Sequence, residues 1–416
     1  MTAEAGLRER GPSVRAERVA GLRSRLRAPA VRTVAQAWLA SRGLIALVAL
    51  LLALQGYRLG DQVSNWDVQH FVALARGGYL ADPSGKLMAF FPGLPLLLRG
   101  GLLLGVPVQV TGIVLATAGS IAAAAALARL GGPWAAVAWL FAPTAVFTTV
   151  PYTESLFCAA AFWAWERARA DRWVAAAVLA GLACTVRVSG LFLVGALVVM
   201  IITSRRASGS GPSTSAGPST GSGSGWGLST GSRHQRSGVG RKLALMLLPT
   251  AVLAGFATYL HTLTGSWTAW YHAQSTGWVR SFTWPWQSFL NTIPAIVPGA
   301  YADHPYWAWV FRGEMASMAI GVGVTVWCLV RRRWAEASWV GVQVLAFSLS
   351  YWFFSVNRAL LLWFPLWIML AEWGRWRPRR RVPRVLHRTA VVTLFVAGAV
   401  LMLWWSWLFF TGHWAS

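Results

Sequence analysis

Negative charge and lysine are what this sequence has least of. Its 416 residues include 13 Asp and Glu against 37 Lys and Arg, and only Lys86 and Lys242 are lysines. Charged residues make up 12% of the chain, where a soluble domain carries about 25%. So little charge excludes the two or three soluble domains that length alone would suggest. Cysteine is scarce as well. Cys158, Cys184 and Cys328 all fall inside apolar runs, which reads as buried inert thiol and excludes a disulfide or cysteine–metal framework. The net charge of +24 invites a nucleic-acid reading. The basic residues sit between apolar runs and line no single soluble face, so no nucleic-acid partner is expected.

What is present is apolar surface. The chain is 56% hydrophobic and holds 27 tryptophans, whose rings favour the headgroup level of a bilayer. A helix needs about 20 apolar residues to span a membrane. Eleven stretches are candidates: 43–59, 105–127, 133–150, 153–165, 173–186, 188–203, 243–263, 315–330, 337–354, 359–373 and 389–410. The fourth, fifth and tenth are short, which implies tilt, interruption or partial insertion. The expected fold is therefore an all-α integral membrane protein, a polytopic bundle of about eleven transmembrane helices.

The chain divides along its length. Residues 1–42 read as a disordered basic cytoplasmic tail; 1–32 is Arg-rich and lacks the compact apolar stretch of a cleavable signal peptide. It reads first as a solvated tail that enforces topology under the positive-inside rule; the second reading is attraction to anionic membrane lipid, at roughly 1 kcal/mol per basic residue near the surface. Residues 43–203 form a first transmembrane part with an outer loop at 58–104. Residues 204–240 are a Gly/Ser-rich cytoplasmic linker, and 241–416 a second transmembrane part with an outer loop at 264–314. With the N-terminus in the cytoplasm and eleven spans, the outer side carries only Arg58, Arg76, Lys86, Arg99, Arg187, Arg280, Arg312 and Arg358. That bias agrees with the positive-inside rule and places a multi-pass protein in the cell membrane.

The first outer loop holds the chemistry. Residues 67–79 have helical spacing, with Val68, Phe71, Val72 and Ala75 on one side, as in an amphipathic helix lying in the interface. Asp67 begins this helix, either as its N-cap or as a catalytic carboxylate beside Trp66. His70, three residues on, shares its face. A carboxylate and an imidazole at a membrane surface suit a proton acceptor and a phosphate-facing donor. In the second outer loop His261, His272, Asp303 and His304 match no metal-ligand spacing, and no metal is expected. The Trp and Tyr residues there read as an interfacial belt or as a stacking surface for sugar rings.

The segments WDVQHFVALARGGY and AFFPGLPLLLR resemble the signature of the PIG-V family, the GPI mannosyltransferase 2 group. The matching residues are Trp66, Asp67, His70, Phe71, Ala75, Gly78, Tyr79, Ala89, Phe90, Phe91, Pro92, Pro95 and Arg99. PYTESLF at 151–157, CTVRVSGL at 184–191 and NRALLLWFPLW, with Arg358 and Pro365, are similar to further family elements. The resemblance implies a GT-C membrane glycosyltransferase fold with an essential acid in the first outer loop. It also implies a polyprenyl- or dolichyl-phosphate-mannose donor, a glycolipid or glycan acceptor, and inversion from β donor to α product. Asp67 then becomes the catalytic base. His70, Glu154, Arg187, Arg99 and Arg358 become candidates for binding donor phosphate or sugar, with Trp66, Phe90, Phe91 and Pro92 shaping the motif. One Asp stands where many related enzymes carry an adjacent acidic pair, and no metal or other cofactor is expected.

Structural readings stand beside these. Glu154 also suits a helix start, where the dipole favours a carboxylate. Arg187 and Arg358 also read as interfacial arginines that snorkel. Two other functions remain open: a transferase of the same fold with a different sugar or a protein or cell-wall acceptor, and a membrane transporter, which would place ionisable residues and broken helices near mid-bilayer. Reporter fusions within 58–104 and within 204–240 are expected to report opposite sides of the membrane. The same side for both would remove this topology.

Overall fold

The computed structural model describes residues 29–209 and 230–415, and among these every regular element is helical. The first half comprises α1 (Pro29–Leu54), α2 (Leu59–Gln62), α3 (Asp67–Gly77), α4 (Gly93–Leu103), α5 (Val108–Gly131), α6 (Pro133–Leu140), α7 (Glu154–Arg169), α8 (Trp173–Val186) and α9 (Ser189–Gly209). The second comprises α10 (Thr230–Leu245), α11 (Leu247–Thr264), α12 (Ala269–Trp278), α13 (Pro285–Thr292), α14 (Trp307–Val330), α15 (Trp334–Ser348), α16 (Val356–Ala359), α17 (Phe364–Arg375) and α18 (Arg381–Phe410). Residues 29–42, assigned from sequence to the tail, are the first turns of α1: Arg32 and Arg42 are their only charges, too few to stop the helix. Residues 204–209 and 230–240 of the expected linker continue α9 and α10. The tail at 1–28 and the linker centre at 210–229 lie outside the described residues.

Among the described residues five helices are long and apolar enough to cross a membrane: Pro29–Leu54, Val108–Gly131, Gly238–Thr264, Trp307–Val330 and Arg381–Phe410. Shorter apolar helices stand at Gly93–Leu103, Trp173–Val186 and Ser189–Ser204. The long helices leave wide apolar faces uncovered. Leu39, Leu50, Leu51 and Leu54 of α1 and Val382, Val385, Leu386 and Val400 of α18 are all more than half exposed. A water-soluble surface rarely tolerates so much contiguous apolar area; a bilayer does, and this is a multi-pass membrane protein.

Two expected spans are broken. Residues 133–150 form α6 and then a 3-10 turn at Ala145–Thr148, and 359–373 are divided by a 3-10 turn at Leu360–Leu362 ahead of α17. Prolines 143, 151 and 365 supply no N–H and forbid a continuous ladder. Away from water, such breaks persist only where other groups take up the freed backbone atoms. The indoles of Trp139 and Trp339 donate to Leu361 O at 3.0 Å and Leu362 O at 3.1 Å. Arg42 donates to Ala145 O at 3.2 Å and Thr149 Oγ1 at 2.7 Å. Trp139, Trp165, Trp339 and Trp363 are fully buried. These rings belong to the core and not to the interfacial belt expected of tryptophan.

Packing puts the two ends of the bundle to different use. Near one end Glu166 pairs with Arg129 and Arg167, Glu372 with Arg331 and Arg333, and Asp171 with Lys242. Toward the other end converge the start of α7, the end of α8, α16 and the start of α3. Helices α5 and α7 pack closely. The contact depends on Gly119: a Cβ there would stand 2.9 Å from the Ser155 carbonyl carbon and 3.1 Å from Leu156 N. Both are backbone atoms that cannot swing away. Gly119→Val is expected to destabilise the detergent-solubilised protein by roughly 1–3 kcal/mol, the usual cost of overpacking. An unchanged thermal midpoint would contradict so tight a contact.

Candidate active site

The motif around Asp67 is held in a strained turn. Trp66 has φ +57° and ψ −126°, a conformation bulky residues avoid at a cost of about 1–3 kcal/mol. Neighbours fix it there: Trp66 Nε1 donates to His413 O at 3.0 Å, and Asn65 Nδ2 donates to Phe409 O at 2.8 Å. The Asp67 amide donates to Tyr152 Oη at 3.1 Å. Asp67 is the first residue of α3, and the helix receives no side-chain cap. The carboxylate points elsewhere: Oδ2 accepts from Arg358 Nη1 at 2.7 Å.

From Asp67 a line of alternating charge runs through the site. Arg358 Nε lies 3.7 Å from Glu154 Oε1, an ion-pair distance. Glu154 is completely buried and accepts from Arg187 Nη1 at 2.5 Å. Arg187 Nη1 also donates to Thr153 Oγ1 at 2.9 Å. Glu154 opens α7, Arg187 terminates α8 and Arg358 lies on α16, so three helix ends meet here. Glu154 stands at a helix start as its structural reading had it, and the snorkelling reading of the arginines gives way to a buried ion-pair network. Each charge has a partner, as a low-dielectric site requires.

Beneath Arg358 lies a carboxylate that sequence reading passed over. Glu314 is fully buried in α14 and accepts from three successive amides: Ser355 N at 3.1 Å, Val356 N at 2.6 Å and Asn357 N at 3.0 Å. These amides are the orphan donors at the start of α16. Ser355 itself is left-handed, at φ +64°. Glu314 thus anchors the short helix that presents Arg358. Its signal in the sequence was weak: a lone Glu eight residues into an apolar helix, which reads as the edge of a loop until the fold brings residue 355 against it.

A cavity of about 110 Å³ opens onto the charges, lined by Asp67, Thr153, Arg187, Ser355 and Arg358 on one side and by Phe90, Phe91, Trp270 and Trp278 on the other. The aromatic wall is tethered through its backbone. Tyr79 Oη donates to Phe90 O at 2.8 Å, and Trp270 Nε1 to Ala89 O at 3.1 Å. Pro92 precedes α4 as its N-cap residue. Gly93 follows because α4 begins against the end of α8, where a Cβ would sit 2.7 Å from Thr185 O.

The structure therefore gathers Asp67, Glu154, Arg187 and Arg358 into one network, with Phe90 and Phe91 on the facing wall. His70 stacks on Phe90 at 5.1 Å between ring centroids and meets Trp278 edge-on. It packs against the aromatic wall and makes no hydrogen bond to Asp67. Arg99 is exposed on α4 and outside the cavity lining. In the second loop His261 stacks on Trp267 and His304 on Trp307. Among the described residues no three His, Cys, Asp or Glu side chains assemble as metal ligands would. Arg280, read from sequence only as an outer-side charge, also lines the cavity. Burial pushes its guanidinium down to about 10, and Arg358 and Arg187 act in the same direction; it remains charged at neutral pH.

Chemically, the site offers a carboxylate with one oxygen held by an arginine and the other without a partner among the described residues, three guanidiniums, and stacked aromatic faces. It can accept a proton at Asp67, hold an anion and pack a ring. Comparison with known proteins points the same way. Over 154 residues the chain is 34% identical to GPI alpha-1,6-mannosyltransferase 2 of Rattus norvegicus and of Mus musculus, and 32% identical to that of Homo sapiens. Each match covers 32% of this chain and 31% of the relative, so the chain spans about a third of the length of the curated relatives it matches. No protein-family model and no solved structure matches the chain. These relatives support a PIG-V-like family.

Replacing Glu314 by Gln would turn an amide donor toward backbone donors. The cost of leaving such buried groups unsatisfied is about 1–3 kcal/mol. Glu314→Gln is expected to lower the thermal midpoint accordingly in detergent; an unaltered midpoint would remove its anchoring role.

Proposed function

We propose that this protein is a mannosyltransferase that takes mannose from a polyprenyl- or dolichyl-phosphate carrier and forms an α-mannosidic bond, with inversion, on a glycolipid at the outer face of the cell membrane. The observation that carries this reading is the Asp67 carboxylate at the wall of an arginine-lined cavity, 2.7 Å from Arg358. The names of the relatives support the sugar and the reaction class.

The transfer needs few parts. An acceptor hydroxyl attacks C1 of the sugar; the C1–O bond to phosphate breaks, its electron pair leaves with the phosphate oxygen, and the new C1–O bond forms. Asp67 takes the hydroxyl proton. Arg358 holds that carboxylate in place, and Arg187 and Glu154 hold Arg358. Charge spreads over the ring in an oxocarbenium-like transition state, and the guanidiniums favour negative charge on the departing phosphate. Phe90 and Trp278 provide faces for a sugar or lipid.

The proposal includes a GT-C bundle of about eleven spans with a cytoplasmic N-terminus. Helices occupy each stretch expected to span, two of them interrupted at proline. A transporter finds one point of support in those interruptions and in buried Arg42. The clustering of Asp67, Glu154, Arg187 and Arg358 at the site end of the bundle favours the transferase. A transferase of the same fold acting on another sugar, or on a protein or cell-wall acceptor, keeps the same residues in the same roles.

Asp67→Asn is expected to reduce transfer from labelled lipid-linked mannose in membranes by about 10²–10⁴-fold, the usual contribution of a positioned base. Transfer near the wild-type rate would remove Asp67 from that role, and sugar-independent solute flux in liposomes would favour the transporter.

A further inference from the structure

Three guanidiniums face the cavity, and two of them are already committed. Arg358 is bonded to Asp67 and Arg187 to Glu154. Drawing either away to hold a ligand would strand a buried or half-buried carboxylate, a costly exchange. The third, Arg280, belongs to the irregular stretch after α12. It makes no ion pair among the described residues. Its Nη2 reaches Phe354 O at 3.4 Å, a long contact, and its Nε is shielded from solvent with no hydrogen-bond partner. The rings of Phe347 and Phe354 lie 6.0 and 5.8 Å from its centre, at the outer limit of cation–π attraction. Asp67 and Glu314 attract it only through space, so among the described residues this shielded cation beside two others has no carboxylate bonded to it.

We propose that Arg280 is the anchor for the phosphate of the lipid-linked donor. The inference rests on the transferase reading and deepens it. A phosphodiester brings one negative charge to the cavity guanidinium that has no ion pair among the described residues. When the C1–O bond breaks, the electron pair remains on phosphate oxygen and the leaving group is a monoester, which carries about −1.5 to −2 at neutral pH. Arg280 therefore gains in interaction as the reaction proceeds, and its planar fork suits two phosphate oxygens at once. The placement also links two walls. The loop bearing Arg280 follows α12, which is docked on the AFFP segment through Trp270 Nε1 and Gln274 Nε2 to Ala89 O. Anion and aromatic wall are thus positioned together.

The test uses the full-length protein in nanodiscs of uncharged lipid, with farnesyl monophosphate as probe and farnesol as its phosphate-free control. Arg280→Ala is expected to weaken farnesyl monophosphate binding at least tenfold and leave farnesol binding unchanged. Arg280→Lys, which keeps the charge and loses the fork, should fall between. Arg76→Ala, on the exposed side of α3, should bind as wild type. In membranes Arg280→Ala should lower kcat for labelled polyprenyl-phosphate-mannose as well as raise its KM, because the interaction grows as the C1–O bond breaks. Equal binding by wild type and Arg280→Ala, or parallel loss of both probes in Arg280→Ala and Arg280→Lys, would overturn the assignment while leaving the transferase reading in place. Arg280-dependent binding in a wild-type protein that transfers no mannose from any lipid-linked donor would instead overturn the transferase reading.

Discussion

The pair of buried carboxylates, Glu154 and Glu314, is the constraint on which the site depends. Neither can exist in an apolar bundle without compensation. Glu154 is compensated by two guanidiniums from different helices, and Glu314 by three amides at the start of α16. To meet those demands the ends of α7, α8, α14 and α16 must come to one level. Asp67 gains its place from the same arrangement, because Arg358 is shared between it and Glu154. A side chain 291 positions away in sequence is thereby held at hydrogen-bond distance.

The broken spans lie beside this anchor. The amides that Glu314 accepts from are free because α16 begins there, as at any helix start, and α16 ends after a single turn. Pro365 and the 3-10 turn at Leu360–Leu362 interrupt the stretch 359–373, and Trp139 and Trp339 satisfy the carbonyls the interruption frees. The strain is placed with the same economy. Trp66 and Ser355, both with positive φ, lie just ahead of the two members of the central ion pair. Each is fixed by a contact from a distant segment, His413 on one and Glu314 on the other. Strain that neighbouring structure holds in place is a common companion of a preorganised site.

What the sequence made legible follows from the range of each interaction. The helical character of nearly every apolar run was readable, because hydropathy is local. So was the motif helix: Val68, Phe71 and Ala75 are buried on α3 as their spacing implied. Proline breaks were less visible, since a transmembrane helix often tolerates proline and only tertiary partners decide whether the ladder parts. Asp67, Glu154, Arg187 and Arg358 were singled out by resemblance, yet their pairing was open apart from Glu154 with Arg187. For His70 the spacing left a structural and a binding role open: three residues from Asp67 it shares a helix face, but α3 starts in a strained turn and sends the carboxylate toward α16, leaving the imidazole to stack on Phe90. Glu314 and Arg280 carried no local signal. One is defined by amides in another element, the other by having no ion pair among the described residues.

The extent of the resemblance bears on how the site should be weighed. The matched segment covers 154 residues, whereas the ion-pair network runs from Asp67 to Arg358. No single segment of that length contains both members of the central pair. Likeness to the relatives can therefore account for one side of the network at most. That Arg358, Glu314 and Arg280 complete it from the other half of the chain is a matter of physical fit: a cation where Asp67 and Glu154 need one, an anion where α16 needs one, and a further cation facing open space. Arg280 is the member of that set with no ion pair among the described residues, and it lies in the cavity, where a ligand of opposite sign would complete the set.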